Sequence, residues 1–581
     1  MSVRSVLKFC IPVSVIVGWC VVSGPFGAAA AVPTVSAAAV TPSAWGAPYE
    51  LKGGSAFSTT LEPTAISCPG VGACVVGGSY DPRNPGYSEH AGLAQERNGS
   101  WETAVAIPGI ESLSQGFPAR VDSVSCASPG NCTLAGLYVT GGADLYIHQG
   151  FVATETNWHW GKAVNVPGLV AMNKGNEAEV TSVSCAAPGY CTAGGVYAIV
   201  DPHEGPFTAD GFVVTETKGV WGKAKPAPGI KITATTDAVI QSVSCSSPGN
   251  CTAGGTLANN ATFSAVKGFV VTQTSGTWHA ARFIANVSGI TLLSCRATGD
   301  CTGAGQGTGS VCVQAGCAAL VNEKNGSWGA GRAVLAKNQQ TTTSAVGALS
   351  CASAGNCAIG GSWGKQAYLM TQRNGTWSVP RVVPGSVALN VGGGASVTAL
   401  SCPALGFCVV GGVYLDGKGT QRGFLIAQSN GGWGTLRQVG YGGVGAISCY
   451  STASCGVLVG KVTNTAIAFD APAYNAVMEK APVQNTSTAL ALSTASARYG
   501  HEQAVRVTVA VHARLGIPAG SVIVYTGSHT LCVIGLVTGH GSCTLAARAL
   551  RVGSWPVTAY YLGLPQFRKS FSASKTLHVT S

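Results

Sequence analysis

The sequence predicts an all-β chain: an eight-bladed β-propeller, with seven blades as the fallback count, followed by a small β-sandwich. Three observations carry this. The motif Ser-Cys-x5-Cys occurs eight times, with first cysteines 47 to 60 residues apart. Each copy contains four short strand-like stretches, the signature of one propeller blade per repeat. After Ala471 the pattern stops, and residues 489–581 alternate apolar and polar at strand period, as at Val505, Val507, Val509 and Val511.

Within a repeat the elements follow a fixed order. An alternating run such as Val121-Asp-Ser-Val-Ser125 precedes the first cysteine. Five residues, often Ser-Pro-Gly-Asn as at 128–131, then form a tight turn whose flanking cysteines face each other across a hairpin. A glycine pair and an aromatic follow, as in Gly194-Gly195-Val-Tyr197, and are expected to allow close backbone approach between blades. A third strand comes next, for example Gly211-Phe-Val-Val-Thr215, and then a turn ending in Trp101, Trp160, Trp221, Trp278, Trp328, Trp377 or Trp433. The last repeat ends at a third strand, Thr465-Ala-Ile-Ala-Phe469, with no tryptophan of its own. Trp45, upstream of the first cysteine pair, is therefore expected to close the ring as an N-terminal outer strand, which removes an exposed sheet edge. The expected organisation is a signal peptide over 1–31, an Ala/Pro/Ser-rich lead-in over 32–44, the propeller over 45–472, a linker over 473–488 and the sandwich over 489–581.

The compartment is read from the termini and the cysteines. Arg4 and Lys8, the apolar run from Phe9 to Val22 and the alanines 28–31 have the order of a secretory signal. Beyond it no stretch is long and apolar enough to span a membrane. Cys10 and Cys20 leave with the signal. The other twenty are expected as ten disulfides. Eight come from the repeats: Cys68 with Cys74, Cys126 with Cys132, Cys185 with Cys191, Cys245 with Cys251, Cys295 with Cys301, Cys351 with Cys357, Cys402 with Cys408, and Cys449 with Cys455. Cys312 with Cys317 is an extra pair in the fifth repeat, and Cys532 with Cys543 belongs to the tail. Zinc is the weaker explanation, because each pair stands without a histidine at ligand spacing. Charged residues make up only 10% of the chain, about 25% being usual, and the net charge is +11. The excess sits at the end: residues 486–581 hold eight basic side chains and one acid, Glu502, while the repeats nearly cancel. A basic end on a neutral body suits an anionic surface such as a cell-wall polymer or lipid headgroups.

The tail resembles bacterial immunoglobulin-like domains, on Tyr499-Gly500, the valine run, Pro518-x-Gly520-x-Val522, Cys532 with Cys543-Thr-Leu545, and Gly553 through Tyr560. The repeats resemble exported bacterial propellers with Ser-Cys-x5-Cys units. Their Asn-Gly-x-Trp turns are similar to the Asp-box turn of sialidase-type propellers, although the opening Ser-x-Asp is missing and Ser429-Asn-Gly-Gly-Trp433 comes nearest. These resemblances imply fold more than activity.

Strands and loops differ in the chemistry they offer. Ser67, Ser125, Ser184, Ser244, Ser294, Ser350, Ser401 and Ser448 are eight equivalents with no histidine beside them, so they read as structural hydrogen-bonding groups rather than nucleophiles. The tryptophans read as packing between blades. The strands expected to line the channel carry almost no charge, with Asp122 the exception. Binding residues are expected on the irregular second-to-third and fourth-to-first connections. In three consecutive repeats these carry Asp81, Arg83, Tyr87 and His90; Asp144, Tyr146 and His148; and Asp201, His203, Glu204 and Asp210. Asp201-Pro-His203-Glu204 offers metal-ligand atoms but no spacing of fixed geometry. No cofactor is expected, structural calcium being the one ion left open. The expectation is a secreted or cell-surface-associated binding or adhesion protein whose partner is an extracellular glycan, a cell-wall polymer or a protein, with the basic tail as spacer or tether. The chain has no phosphate-cradling loop and no basic repeat surface for nucleic acid. The alternative is a divergent, sialidase-like carbohydrate-active enzyme using Asp122, Asp201 and Glu204.

Overall fold

The computed structural model describes residues 43–46, 49–53, 61–81, 89–142, 145–200, 208–260, 262, 264–313, 316–439, 442–460, 474–482, 484–514, 517–518, 520–563 and 567–581. The signal-like segment lies outside these residues. The chain divides into two compact units, one mainly Glu102–Met478 and the other mainly Glu479–Ser581. Among the described residues no helix is long and apolar enough to cross a membrane.

The first unit repeats one antiparallel sheet. In its third copy the strands are Ala178–Ala187, Tyr190–Val200, Thr208–Thr217 and a broken outer strand, Val220–Trp221 with Lys225–Pro226. Both outer pieces pair with Thr208–Thr217. The sequence dictates each corner. Gly189 takes a φ of 71° in the first turn, and Cys185 lies opposite Cys191, joined by a disulfide. Lys218 and Gly219, at φ 54° and 79°, form the doubly left-handed turn that matches strand twist, and Asn-Gly fills the same place in other copies. The first strand carries a bulge between Val180 and Ser182. Gly195 accommodates it: a Cβ there would stand 1.9 Å from the Glu179 carbonyl oxygen. Its neighbour Gly194 instead leaves room for Ile240 of the next sheet, 2.7 Å from where a Cβ would be. The glycine pair thus has two separate jobs.

Eight such sheets are present among the described residues, starting at Glu62–Gly70, Ala119–Ser128, Ala178–Ala187, Thr236–Ser247, Val287–Ala297, Ser344–Ser353, Ser396–Ala404 and Gly443–Ser451. Their apolar cores form between neighbouring sheets. Val213 and Ala227 of the third sheet, for instance, pack with Ile240, Val243 and Phe269 of the fourth. Each first strand touches the next, and the eighth touches the first. The serines complete this cycle. Ser67, Ser125, Ser184, Ser244, Ser294, Ser350 and Ser401 each accept the backbone N–H of the first cysteine one repeat on, at 2.9–3.1 Å. Ser448 accepts that of Cys68 at 2.9 Å and closes the circle. This cyclic arrangement of sheets is that of a β-propeller. The tryptophans also bridge sheets: Trp160 Nε1 donates to Gln95 Oε1 at 2.8 Å, and Trp221 Nε1 to Thr154 Oγ1 at 3.3 Å.

The cysteines pair as their spacing predicts. Besides Cys185 with Cys191, the first turns are pinned by Cys68 with Cys74, Cys126 with Cys132, Cys245 with Cys251, and Cys295 with Cys301. Cys351 with Cys357, Cys402 with Cys408, and Cys449 with Cys455 complete the set. In all eight the Cα atoms stand 3.8–4.1 Å apart, the approach of facing residues in a hairpin. Several also meet a hydroxyl of the sheet before: Thr133 touches Cys191 Sγ at 3.4 Å, Thr192 touches Cys251 at 3.3 Å and Thr252 touches Cys301 at 3.6 Å. With both sulfurs in a disulfide, and all of these cysteines but the half-buried Cys449 buried, they act as structural staples. Cys312 with Cys317 closes a loop of the fifth sheet.

The eighth sheet differs from expectation. Its third strand is Tyr474–Pro482, within the stretch read as a linker, while Thr465–Phe469 lies outside the described residues. Ser43–Trp45 pairs with that strand at Pro482, Ala481 and Lys480. The physical reason is hydrogen bonding: a second strand at Ser454–Gly460 needs a partner on its far edge, and extended backbone of almost any composition supplies one.

The second unit is a two-sheet sandwich. Thr486–Leu492, Arg506–Ala513 and His540–Thr544 form one sheet; the other is built chiefly of Gly553–Tyr561, Gly520–Thr526, His529–Leu536 and Lys575–Thr580. Val507, Val509 and Val511 share one core with Val522, Val524, Val557 and Leu577. Cys532 with Cys543 joins consecutive strands that belong to different sheets, so it ties the two layers together.

Candidate functional site

The connection-bearing ends of the sheets were expected to carry the site. Arg83, Tyr87, Asp144, Asp201, His203 and Glu204 lie outside the described residues. Asp81 is exposed, just after the second strand of the first sheet. His90, His148 and Asp210 occur near the starts of the third strands of sheets one to three. All three are committed to neighbours. His90 Nδ1 lies 2.6 Å from Glu111 Oε1, which also accepts from the Tyr80 hydroxyl at 3.4 Å; burial, then Glu111, pushes the Tyr80 phenol up. His148 Nδ1 lies 2.5 Å from Glu177 Oε2. Asp210 accepts from Gly211 N–H at 2.8 Å and from Tyr197 at 3.5 Å. Burial nevertheless lifts its carboxyl to about 6. Glu111 and Glu177 come from connections to the next sheet, so these two histidines hold those connections down.

Tyr146 is different. It is 51% exposed, and its ring stands edge-on to Phe117 at 6.0 Å between centroids. It alternates with His148 on one strand, so both project to the same side. An exposed ring held edge-on by a second aromatic offers a flat apolar face beside a polar His–Glu pair.

Closer to the channel, Arg120 links two carboxylates, with Nε 2.8 Å from Asp122 Oδ1 and Nη2 2.9 Å from Glu179 Oε1. Asp122 is buried, and its Oδ2 has no hydrogen-bond donor among the described residues. Burial raises its carboxyl despite the opposing Arg120 charge. Arg120, with its side chain 38% exposed, and Glu179, at 26%, remain reachable from solvent. Arg120 and Glu179 are register equivalents, each six residues before the first cysteine of its repeat. Aligning the repeats on their cysteines would have exposed this pair, whereas reading each strand alone found only Asp122. Phe117 is three residues before Arg120 and Glu177 two before Glu179, so both clusters belong to the junction of the second and third sheets. Deeper in, the channel is lined by apolar groups including Ile66, Val124, Leu292, Leu349 and Leu400. Among the described residues no three His, Cys, Asp or Glu side chains gather as metal ligands.

No protein-family model and no curated protein matches the chain. Similar solved structures include YCF48 from Cyanidioschyzon merolae, 14% identical, covering 66% of this chain and 97% of that one at a TM-score of 0.34. The Dos1 propeller is 7% identical, covering 76% and 95% at 0.45, and the Hadza microbial sialidase Hz136 is 10% identical, covering 75% and 68% at 0.33.

Proposed function

We propose that the chain is a secreted or cell-surface-associated, non-enzymatic binding protein. In this reading an eight-bladed propeller presents its connection face to an extracellular glycan, and a basic immunoglobulin-like domain acts as spacer or tether. The observation that carries it is the exposed Tyr146 ring set against Phe117, beside the His148–Glu177 pair, with the Arg120–Glu179 ion pair at the same junction of the second and third sheets. Sugar rings stack their C–H faces on such aromatics, and their hydroxyls pair with guanidinium and carboxylate groups. The ten disulfides among the described residues fit an extracellular setting. A tether role for the tail is supported by its charge, including the exposed Arg551, Lys569 and Lys575.

The test is a pull-down of the mature protein on insoluble polysaccharides and cell-wall preparations at low and high salt. Tyr146→Ala should weaken glycan binding about tenfold, the equivalent of losing one aromatic contact. Replacing Arg551, Lys569 and Lys575 together with glutamine should remove only the salt-sensitive component. Retention on no material, or binding indifferent to Tyr146→Ala, overturns the glycan reading.

A further inference from the structure

In the first seven sheets the third strand ends with a buried polar residue directly opposite the tryptophan of its outer strand. In sheets two to seven this residue is Glu155, Glu216, Gln273, Glu323, Gln372 and Gln428, all 7% exposed or less. The glutamines show what the position does. The amide Nε2 of Gln273, Gln372 and Gln428 donates to the carbonyl oxygen of the turn glycine three residues on, Gly276, Gly375 and Gly431, at 3.1–3.2 Å. Gln273 also donates to Thr215 Oγ1 of the preceding sheet at 3.2 Å. The place therefore calls for a hydrogen-bond donor. An ionised carboxylate has none and would set a negative charge near a carbonyl oxygen.

At Glu216, Oε1 accepts from Thr154 Oγ1 at 3.5 Å, and Oε2 has no donor among the described residues. Oε2 of Glu323 is in the same state. We propose that Glu216 and Glu323 are carboxylic acids in the folded protein, each donating its O–H to the turn carbonyl oxygen that glutamine serves elsewhere, here that of Gly219 and Gly326. Their contribution to the stability of the propeller is greatest in acidic surroundings.

The electrostatics agree. Burial pushes both carboxyls up to about 7. Around Glu323, Asp300 adds to the rise while Trp328 and Arg282 oppose it. Around Glu216 only Thr154 opposes burial, and Lys218 of its own turn is exposed. Unfolded glutamate titrates near 4.5, so between about pH 4.5 and 7 the folded chain keeps protons that the unfolded chain has lost. The stabilisation is complete below that window and is lost as pH rises through it. This inference stands apart from the ligand reading.

The test is thermal unfolding of the full chain between pH 4.5 and 8.5, comparing wild type with Glu216→Gln/Glu323→Gln. The difference in Tm should move by about 2–4 °C in favour of the variant between pH 5 and 8. The reverse swap, Gln273→Glu, should behave like wild type near pH 5 and lose Tm by pH 8. Proton release on unfolding at pH 6 should fall by about two protons in the double variant. A Tm offset that stays constant across this range, or unchanged proton release, overturns the proposal.

Discussion

In the repeated sheets, Gly195 sits where a Cβ would come within 1.9 Å of a backbone oxygen. In the sandwich strand His529–Leu536, a Cβ on Gly535 would meet no atom within 4 Å. Cysteine use differs in the same way. Cys185–Cys191 spans six residues and staples one hairpin, whereas Cys532–Cys543 spans eleven and links two sheets. The propeller buries its apolar faces between successive sheets, so backbone must pass close to backbone at every repeat. The sandwich has one core, filled by side chains from two facing sheets, and its glycines face open space more often. The lesson is that a residue type repeated in register marks a packing constraint, while the same residue scattered along a strand does not.

Substitutions on both sides would sharpen this contrast. Gly195→Ala should cost about 3 kcal/mol, since the bulge carbonyl cannot yield without moving the third sheet, whereas Gly535→Ala should stay within about 0.5 kcal/mol. Equilibrium denaturation of the two variants checks this, and equal costs would break the comparison. Replacing Cys185 and Cys191 with serine should cost about 2 kcal/mol, and Cys532 with Cys543 nearer 3 kcal/mol because the longer loop gains more entropy when freed. A larger loss at the hairpin staple would show that it supports neighbouring sheets as well as its own turn. Ser184→Ala should cost about 1–2 kcal/mol by leaving the buried Cys245 N–H without its acceptor, with faster amide exchange at Cys245. Ser574→Ala in the sandwich, at an exposed residue, should change stability by less than about 0.5 kcal/mol.

Much of the fold was legible because its rules are local. Pro-Gly and Asn-Gly turns, alternating strands and cysteines six residues apart each specify a hairpin within about thirty residues. The candidate site was less legible. His90, His148 and Asp210 were picked out as loop chemistry; the two histidines pin connections, and Asp210 accepts from Gly211 N–H and Tyr197 within its own sheet. Tyr146 kept its exposure, and its support by Phe117 joins residues 29 apart that no motif connects. Arg120 and Glu179 escaped notice because neither resembles a motif; only their shared place before the cysteine makes them a pair.

The sequence by itself determined the repeat, its hairpins, its staples and the alternating sandwich, because each follows from the torsional preferences and side-chain periodicity of a short segment. Tertiary structure alone decided the rest. It selected Tyr474–Pro482 to complete the eighth sheet, brought Ser448 to Cys68 across 380 residues, and placed Glu216 in a glutamine's position. Those outcomes depend on which backbone groups remain unsatisfied once neighbouring sheets pack, a condition that exists only in the assembled ring.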